Sequence, residues 1–275
     1  MSRARTFADL ATASEEGSLA NRNYFYNGDM QIYQRGSTAV ASDSIARTLD
    51  RWRMYNYSDG AVTVTQDTNA PSATAFTKSL KIDVTTADSS IGADEVAFIQ
   101  QRFEGQDLQN FLKGTSSAKK GTLQFWVSSP KTGTHIVEWY DTDNSRQISK
   151  TYTISSADTW EYKTITYAGD TTGGGIDNNN GSGFNIYWHL AAGTNFTSSD
   201  STSWSNYANA GFAYGHAVNI FDSTSNDWAI TGIQLEVGEQ ATPFEHRSFD
   251  EELARCQRYA YKIGGSRNDT YGPGM

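Results

Sequence analysis

The residues best placed to do chemistry are aromatic. Trp188, Trp204, Tyr207 and Tyr214 cluster in one stretch, and Trp204 and Tyr207 lie among Ser, Thr and Asn. Indole and phenol rings offer flat apolar faces with a polar handle, which suits them to stacking on sugar rings. These four are the candidate glycan-binding residues. The competing expectation is that they pack a loop onto a sheet, as most aromatics do.

Other chemistry is sparse. Cys256 is the only cysteine, so neither an internal disulfide nor a multi-cysteine zinc site can be built. His135, His189, His216 and His246 are far apart in sequence and form no HExxH pattern. No GxSxG, P-loop or strand-linked GxGxxG occurs, and the GGG at 173–175 has no following helix or lysine. The expectation is no enzyme, no catalytic residue, no metal and no cofactor. A pair of carboxylates for glycosidic cleavage stays open as an alternative, because sequence spacing does not locate such a pair in an all-β chain.

The elements that must position these residues are strands. Val62 and Val64 alternate with Thr63 and Thr65. The same period of two runs through Leu80, Ile82 and Val84; Leu123, Phe125 and Val127; Ile148, Tyr152 and Ile154; Phe184, Ile186, Trp188 and Leu190; and Ile233, Leu235 and Val237. Asp59-Gly60, 131–133, 141–144, 171–175 and 178–183 carry turn residues between them. An all-β antiparallel sandwich of jelly-roll type is predicted over 23–246. Residues 195–213 read as a long loop, a common carrier of function on a rigid scaffold. Trp52, Trp126 and Trp160 fall in strand patterns and are expected to pack core or sheet.

Residues 1–22 form a short leader in which Phe7, Leu10 and Ala11 share one helical face. It is read as either a frayed terminus or a peptide that orders on a partner. In 247–275, Ser248 and Glu251 form a capping box, and acidic residues fill the first turn. A short helix is predicted with Phe249, Leu253, Cys256 and Ala260 on one face, followed by an irregular tail.

The net charge of −9 disfavours nucleic-acid backbones and anionic membrane surfaces. No apolar signal-peptide core and no run of about 18 apolar residues occurs. Synthesis in the cytoplasm and a soluble chain are expected.

Two motifs define the ends of the sandwich: NRNYFYNGDMQIYQRGST with LDRW at 49–52, and ITGIQLEVGEQATPFEHRSFDEELARCQRY at 230–259. Together they resemble phage tail-fibre and virion appendage proteins with a carbohydrate-binding-module-like jelly roll, a group frequent in marine and cyanobacterial phages. The resemblance spans roughly residues 3–262. It implies a virion location, homotrimeric assembly, contacts with other proteins of the tail, fibre or capsid, and host surface polysaccharide as receptor. Alternatives are a structural decoration or adaptor protein without a receptor, and a depolymerase. No stalk repeat is present, so a compact knob is expected. Arg3, Arg5, Phe7, Leu10, Phe249 and Leu253 are the candidate assembly residues. Within the motifs, Asn27-Gly28-Asp29 signals a turn. Gln234 and Glu236 are expected to lie on a strand near a sheet edge that Pro243 terminates.

Overall fold

The computed structural model describes residues 21–262. Thirteen strands make two antiparallel sheets among the described residues: β1 (Thr38–Val40), β2 (Ser44–Arg47), β3 (Arg53–Tyr57), β4 (Ala61–Asp67), β5 (Ser79–Thr86), β6 (Val96–Glu104), β7 (Gly121–Ser128), β8 (Gly133–Asp141), β9 (Arg146–Ile154), β10 (Glu161–Tyr167), β11 (Ser182–Ala192), β12 (Ser205–Asn206) and β13 (Asp227–Val237). One sheet runs β1-β4-β5-β13-β7-β10 and the other β12-β9-β8-β11-β6-β3-β2. This is the predicted antiparallel sandwich. No helix of the described residues is long and apolar enough to cross a membrane.

Period-two alternation drives the assembly. Val62, Val64, Leu80, Ile82, Leu123, Phe125 and Val127 of the first sheet meet Ile99, Val137, Ile148, Phe184, Ile186 and Trp188 of the second in one buried core. Burying each such side chain stabilises the fold by roughly 1.5–3 kcal/mol. Trp52, Trp188, Phe25 and Phe125 interlock at centroid distances of 5.6–5.8 Å.

β13 breaks the alternation once. Trp228 and Ile230 face the core, and so do Ile233 and Leu235, because a bulge between Thr231 and Gln234 adds one residue. Such a bulge moves the side-chain phase to the opposite face. Gly232 sits in it at φ +64°, where a Cβ would lie 2.7 Å from the Phe76 ring.

The two sequence motifs meet in space. Beyond the reach of β5, the opening segment runs alongside β13: Tyr24 N donates to Leu235 O at 3.0 Å and Ile233 N to Gly28 O at 3.0 Å. A Cβ on Gly28 would lie 2.2 Å from Ile233 O, so only glycine permits this approach. Arg247 then fastens the two ends together. Its guanidinium donates to Phe25 O at 2.9 Å and to Asn23 O, and pairs with Glu252 at 3.2 Å and Glu245 at 3.3 Å. Glu252 also accepts from Asn27 N.

The C-terminal helix, Phe249–Gln257, begins where predicted, with Ser248 Oγ accepting from Glu251 N at 3.2 Å. Its buried face differs from the prediction. Cys256, Ala260 and Glu252 are buried, Leu253 is half-buried, and Phe249 is 57% exposed. The bonds from Glu252 to Asn27 and Arg247 fix the helix rotation and leave Phe249 outside. Gln234 and Glu236 also depart from expectation. They lie on a central strand and are buried, because Thr242 and Glu245 fold back over them: Thr242 N donates to Glu236 at 2.8 Å and Glu245 N to Gln234 at 2.8 Å. The strand ends at Val237, before Pro243.

At one end of the sandwich a buried ionic cluster replaces apolar packing. Lys113 pairs with Asp141 at 2.6 Å and Asp170 at 3.3 Å, and Arg146 grips Asp170 at 2.6 and 3.1 Å. Burial alone would raise the Asp170 carboxyl, but hydrogen bonds from Arg146 and Thr172 and the Lys113 charge hold it below the ordinary carboxylate range.

Candidate functional site

The four predicted glycan-binding aromatics do not form one platform. Trp188 is 0% exposed and packs between the sheets against Phe25, Trp52 and Phe125. Its place in the alternating run 184–190 already directed it inward. Trp204 turns into the core edge beside Trp139 and Phe184, and its indole N–H donates to Ala168 O at 2.7 Å. Tyr207 is 37% exposed but leans on Tyr140 at 5.1 Å, and Tyr214 is half-buried. Trp52 packs in the core and Trp126 packs, half-buried, on the six-stranded sheet against Tyr162, both as expected. Arg3, Arg5, Phe7 and Leu10 lie outside the described residues.

The segment read as a long loop is a cover. It contains a helical turn at Thr194–Thr197, strand β12 on the edge of β9, and a 3-10 turn at Asn209–Gly211. Ser149 N donates to Ser201 O at 2.8 Å and Tyr207 N to Ser145 O at 2.8 Å, which tie it down. Phe212 seats on His189 at 4.7 Å, Tyr187 at 5.2 Å and Phe98 at 5.3 Å. A second apolar cluster thus forms on the outer face of the seven-stranded sheet.

Strand register shows what is covered and what stays open. Across that outer face one row reads Arg47, Arg53, Gln100, Tyr187, Glu138, Ser149, each residue opposite the next on β2, β3, β6, β11, β8 and β9. The Glu138 end lies under the cover. Glu138 and His189 are fully buried with their polar atoms 3.6 Å apart. Burial pushes the Glu138 carboxyl well above and the His189 imidazole well below their ordinary ranges. Burial also lowers His216 to about 3 and His135 to about 4.

The arginine end is open. There a groove of about 320 Å³ is lined by Arg35, Arg47, Arg51, Arg53, Arg102 and Gln100, with Trp52 and Phe103 beneath. Ligand sites begin near this size, at about 300 Å³. Alternation builds it: Trp52, Met54, Ile99 and Phe103 take the core face, so Arg53, Gln100 and Arg102 take the outer one. Arg53 lies over the Tyr55 ring at 5.2 Å, and Tyr57 continues the aromatic flank 6.1 Å farther on. Arg51 stacks on Tyr259 at 3.4 Å and donates to Arg102 O at 2.5 Å. Arg102 donates to Tyr55 Oη at 2.9 Å. The groove carboxylate, Glu104, is already engaged by Arg258 at 2.6 Å, Tyr259 at 2.5 Å and Gln106 at 2.6 Å.

The sequence carried a partial signal for this site. Arg51 and Arg53 alternate with Trp52 and Met54, and Arg47 lies four residues before Arg51. Only strand register brings Gln100 and Arg102 to them. Among the described residues no group of three His, Cys, Asp or Glu side chains could hold a metal ion.

No protein-family model matches the sequence, and no curated protein does. Among solved structures the chain is distantly similar to the enzymatically active domain of tailspike protein 4 of bacteriophage CBA120, at 14% identity and TM-score 0.41 over 79% of this chain. It spans 22% of that phage chain. It is also similar to the C-terminal family 22 carbohydrate-binding module of Clostridium thermocellum Xyn10B, at 10% identity and TM-score 0.39, over 82% of this chain and 100% of the module. A family 11 carbohydrate-binding module from Clostridium thermocellum, solved with a β-1,3-1,4-mixed-linked tetrasaccharide, gives 11% identity and TM-score 0.35, covering 75% and 98%.

Proposed function

We propose that this chain is a structural module of a phage particle that assembles with other virion proteins and binds host surface polysaccharide through the groove on β2, β3 and β6. The observation that carries the reading is that groove, a concave site of hydrogen-bond donors on the part of the outer face left uncovered, with Tyr55 against Arg53 and Arg102 at its rim and Tyr57 exposed beyond it. Sugar recognition uses this combination of directional polar groups and flat apolar surface. The virion assignment rests on the resemblance of the opening and closing motifs, which the fold places against each other as two halves of one clamp.

The reading contains no catalytic step. Glu104 serves as an acceptor for Arg258, Tyr259 and Gln106, and Glu138 is sealed beneath Phe212 and its neighbours. Assembly is proposed as a homotrimer through the leader and the C-terminal helix, where Phe249 stands exposed.

A glycan array probed with the purified chain and with an Arg53→Ala, Tyr57→Ala variant tests the binding function. Retention on one or a few host polysaccharides, lost in the variant, is expected. No retention by the wild-type chain on any glycan, neutral or charged, contradicts it and leaves the adaptor alternative. Deleting Met1 to Ala20 should give a folded chain that no longer joins particles, and normal incorporation contradicts the docking role.

A further inference from the structure

We infer that the groove selects polysaccharides carrying carboxylate or sulfate groups, an inference that rests on the polysaccharide-binding reading above. The chain carries a net charge of −9, yet this site gathers arginines from three neighbouring strands. Among the described residues Arg47, Arg53 and Arg102 have no carboxylate within salt-bridge distance. Arg53 is held below the ordinary guanidinium range by burial, and the neighbouring Arg102 and Arg47 charges act in the same direction. Like charges crowded without counter-ions repel, and an anion placed between them relieves the repulsion.

The donors are also short of acceptors. Arg51 Nε, Arg53 Nε and Gln100 Nε2 are buried and have no hydrogen-bond partner, and Gln100 is 1% exposed as a residue. Buried polar groups normally find partners, so several orphaned donors lining one groove mark a place for an acceptor-rich ligand. The single groove carboxylate, Glu104, is neutralised by Arg258 and therefore does not repel an anion. Guanidinium groups bind carboxylate and sulfate oxygens with paired hydrogen bonds. A nucleic acid shares that charge but fits less well, because the chain as a whole repels a long polyanion of high charge density.

The test uses the full chain and affinity electrophoresis in gels holding dextran sulfate, dextran, alginate, carboxyl-reduced alginate or single-stranded DNA. The wild-type chain should be retarded by dextran sulfate and alginate and pass freely through dextran and carboxyl-reduced alginate. Retardation should fall at least tenfold in an Arg53→Gln, Arg102→Gln variant that keeps its thermal transition. It should be unchanged in a Lys81→Gln, Lys163→Gln variant, which removes two charges from the other sheet. Equal retardation by charged and neutral forms overturns the charge selectivity while the polysaccharide reading stands. Retardation by DNA as strong as by alginate, or insensitivity to the arginine substitutions, overturns the inference. Free passage through every gel also overturns it, and the glycan array then decides separately whether another sugar is bound.

Discussion

Arg53 and Gln100 stand directly opposite each other on β3 and β6, and both Arg53 Nε and Gln100 Nε2 are buried without a hydrogen-bond partner. An unmade bond of this kind costs about 1–3 kcal/mol. The free protein therefore carries a local cost that a bound acceptor removes. Gln100→Leu should raise stability by roughly 1 kcal/mol in urea denaturation while weakening glycan retention. A variant that loses stability instead would show that the amide is satisfied in solution.

Beneath the cover, Glu138 is a second such cost. Its folded pKa is raised by burial, so its favourable contribution is complete below the unfolded value, near 4.5, and is lost as pH rises. Glu138→Gln should stabilise the protein at pH 7.5 by roughly 1–3 kcal/mol, with the gain vanishing below about pH 4.5. Thermal melts across that range check it.

The histidines act in the opposite direction. His135 and His216 are lowered to about 4 and about 3, so the unfolded chain takes up protons below about pH 6.5 that the folded chain refuses. Stability should fall as pH drops from 6.5, each histidine adding about 1.4 kcal/mol per pH unit. His135→Phe should flatten the upper part of this limb, between pH 6.5 and 4, in a series of urea titrations.

The ionic cluster should be intolerant of single deletions. Asp170→Ala leaves Lys113 and Arg146 buried near one remaining carboxylate, Asp141, and should cost about 3–5 kcal/mol. Replacing Glu251, an exposed partner of Arg255 at 2.8 Å, with Ala should cost under about 1 kcal/mol. Comparable losses in the two variants would contradict the distinction.

Most of the sandwich was legible because burial of alternate side chains is a local property. Val62 with Val64, and Leu123 with Phe125 and Val127, occupy the core as their spacing required. The Ser248 cap was equally local. The misread features depend on distant contacts. Gln234 and Glu236 look like edge residues until the chain folds back over them, and Phe249 looks like a core residue until Glu252 fixes the helix rotation. The candidate groove was hidden for the same reason. Trp204 and Tyr207 were conspicuous among Ser and Asn, but that segment turned out to be the cover. Arg53 and Arg102 are forty-nine positions apart and become neighbours only through the register of β3 on β6.

The central claim is that the open end of this outer face binds an acidic polysaccharide. Isothermal titration of the full chain with alginate oligosaccharides, at low and at high salt, addresses it most directly. The account predicts saturable binding that weakens at least tenfold in Arg53→Gln, Arg102→Gln and falls with salt, as exposed charge pairs do. Binding of equal strength in wild type and variant, or no heat at any concentration of the acidic ligand, would contradict it.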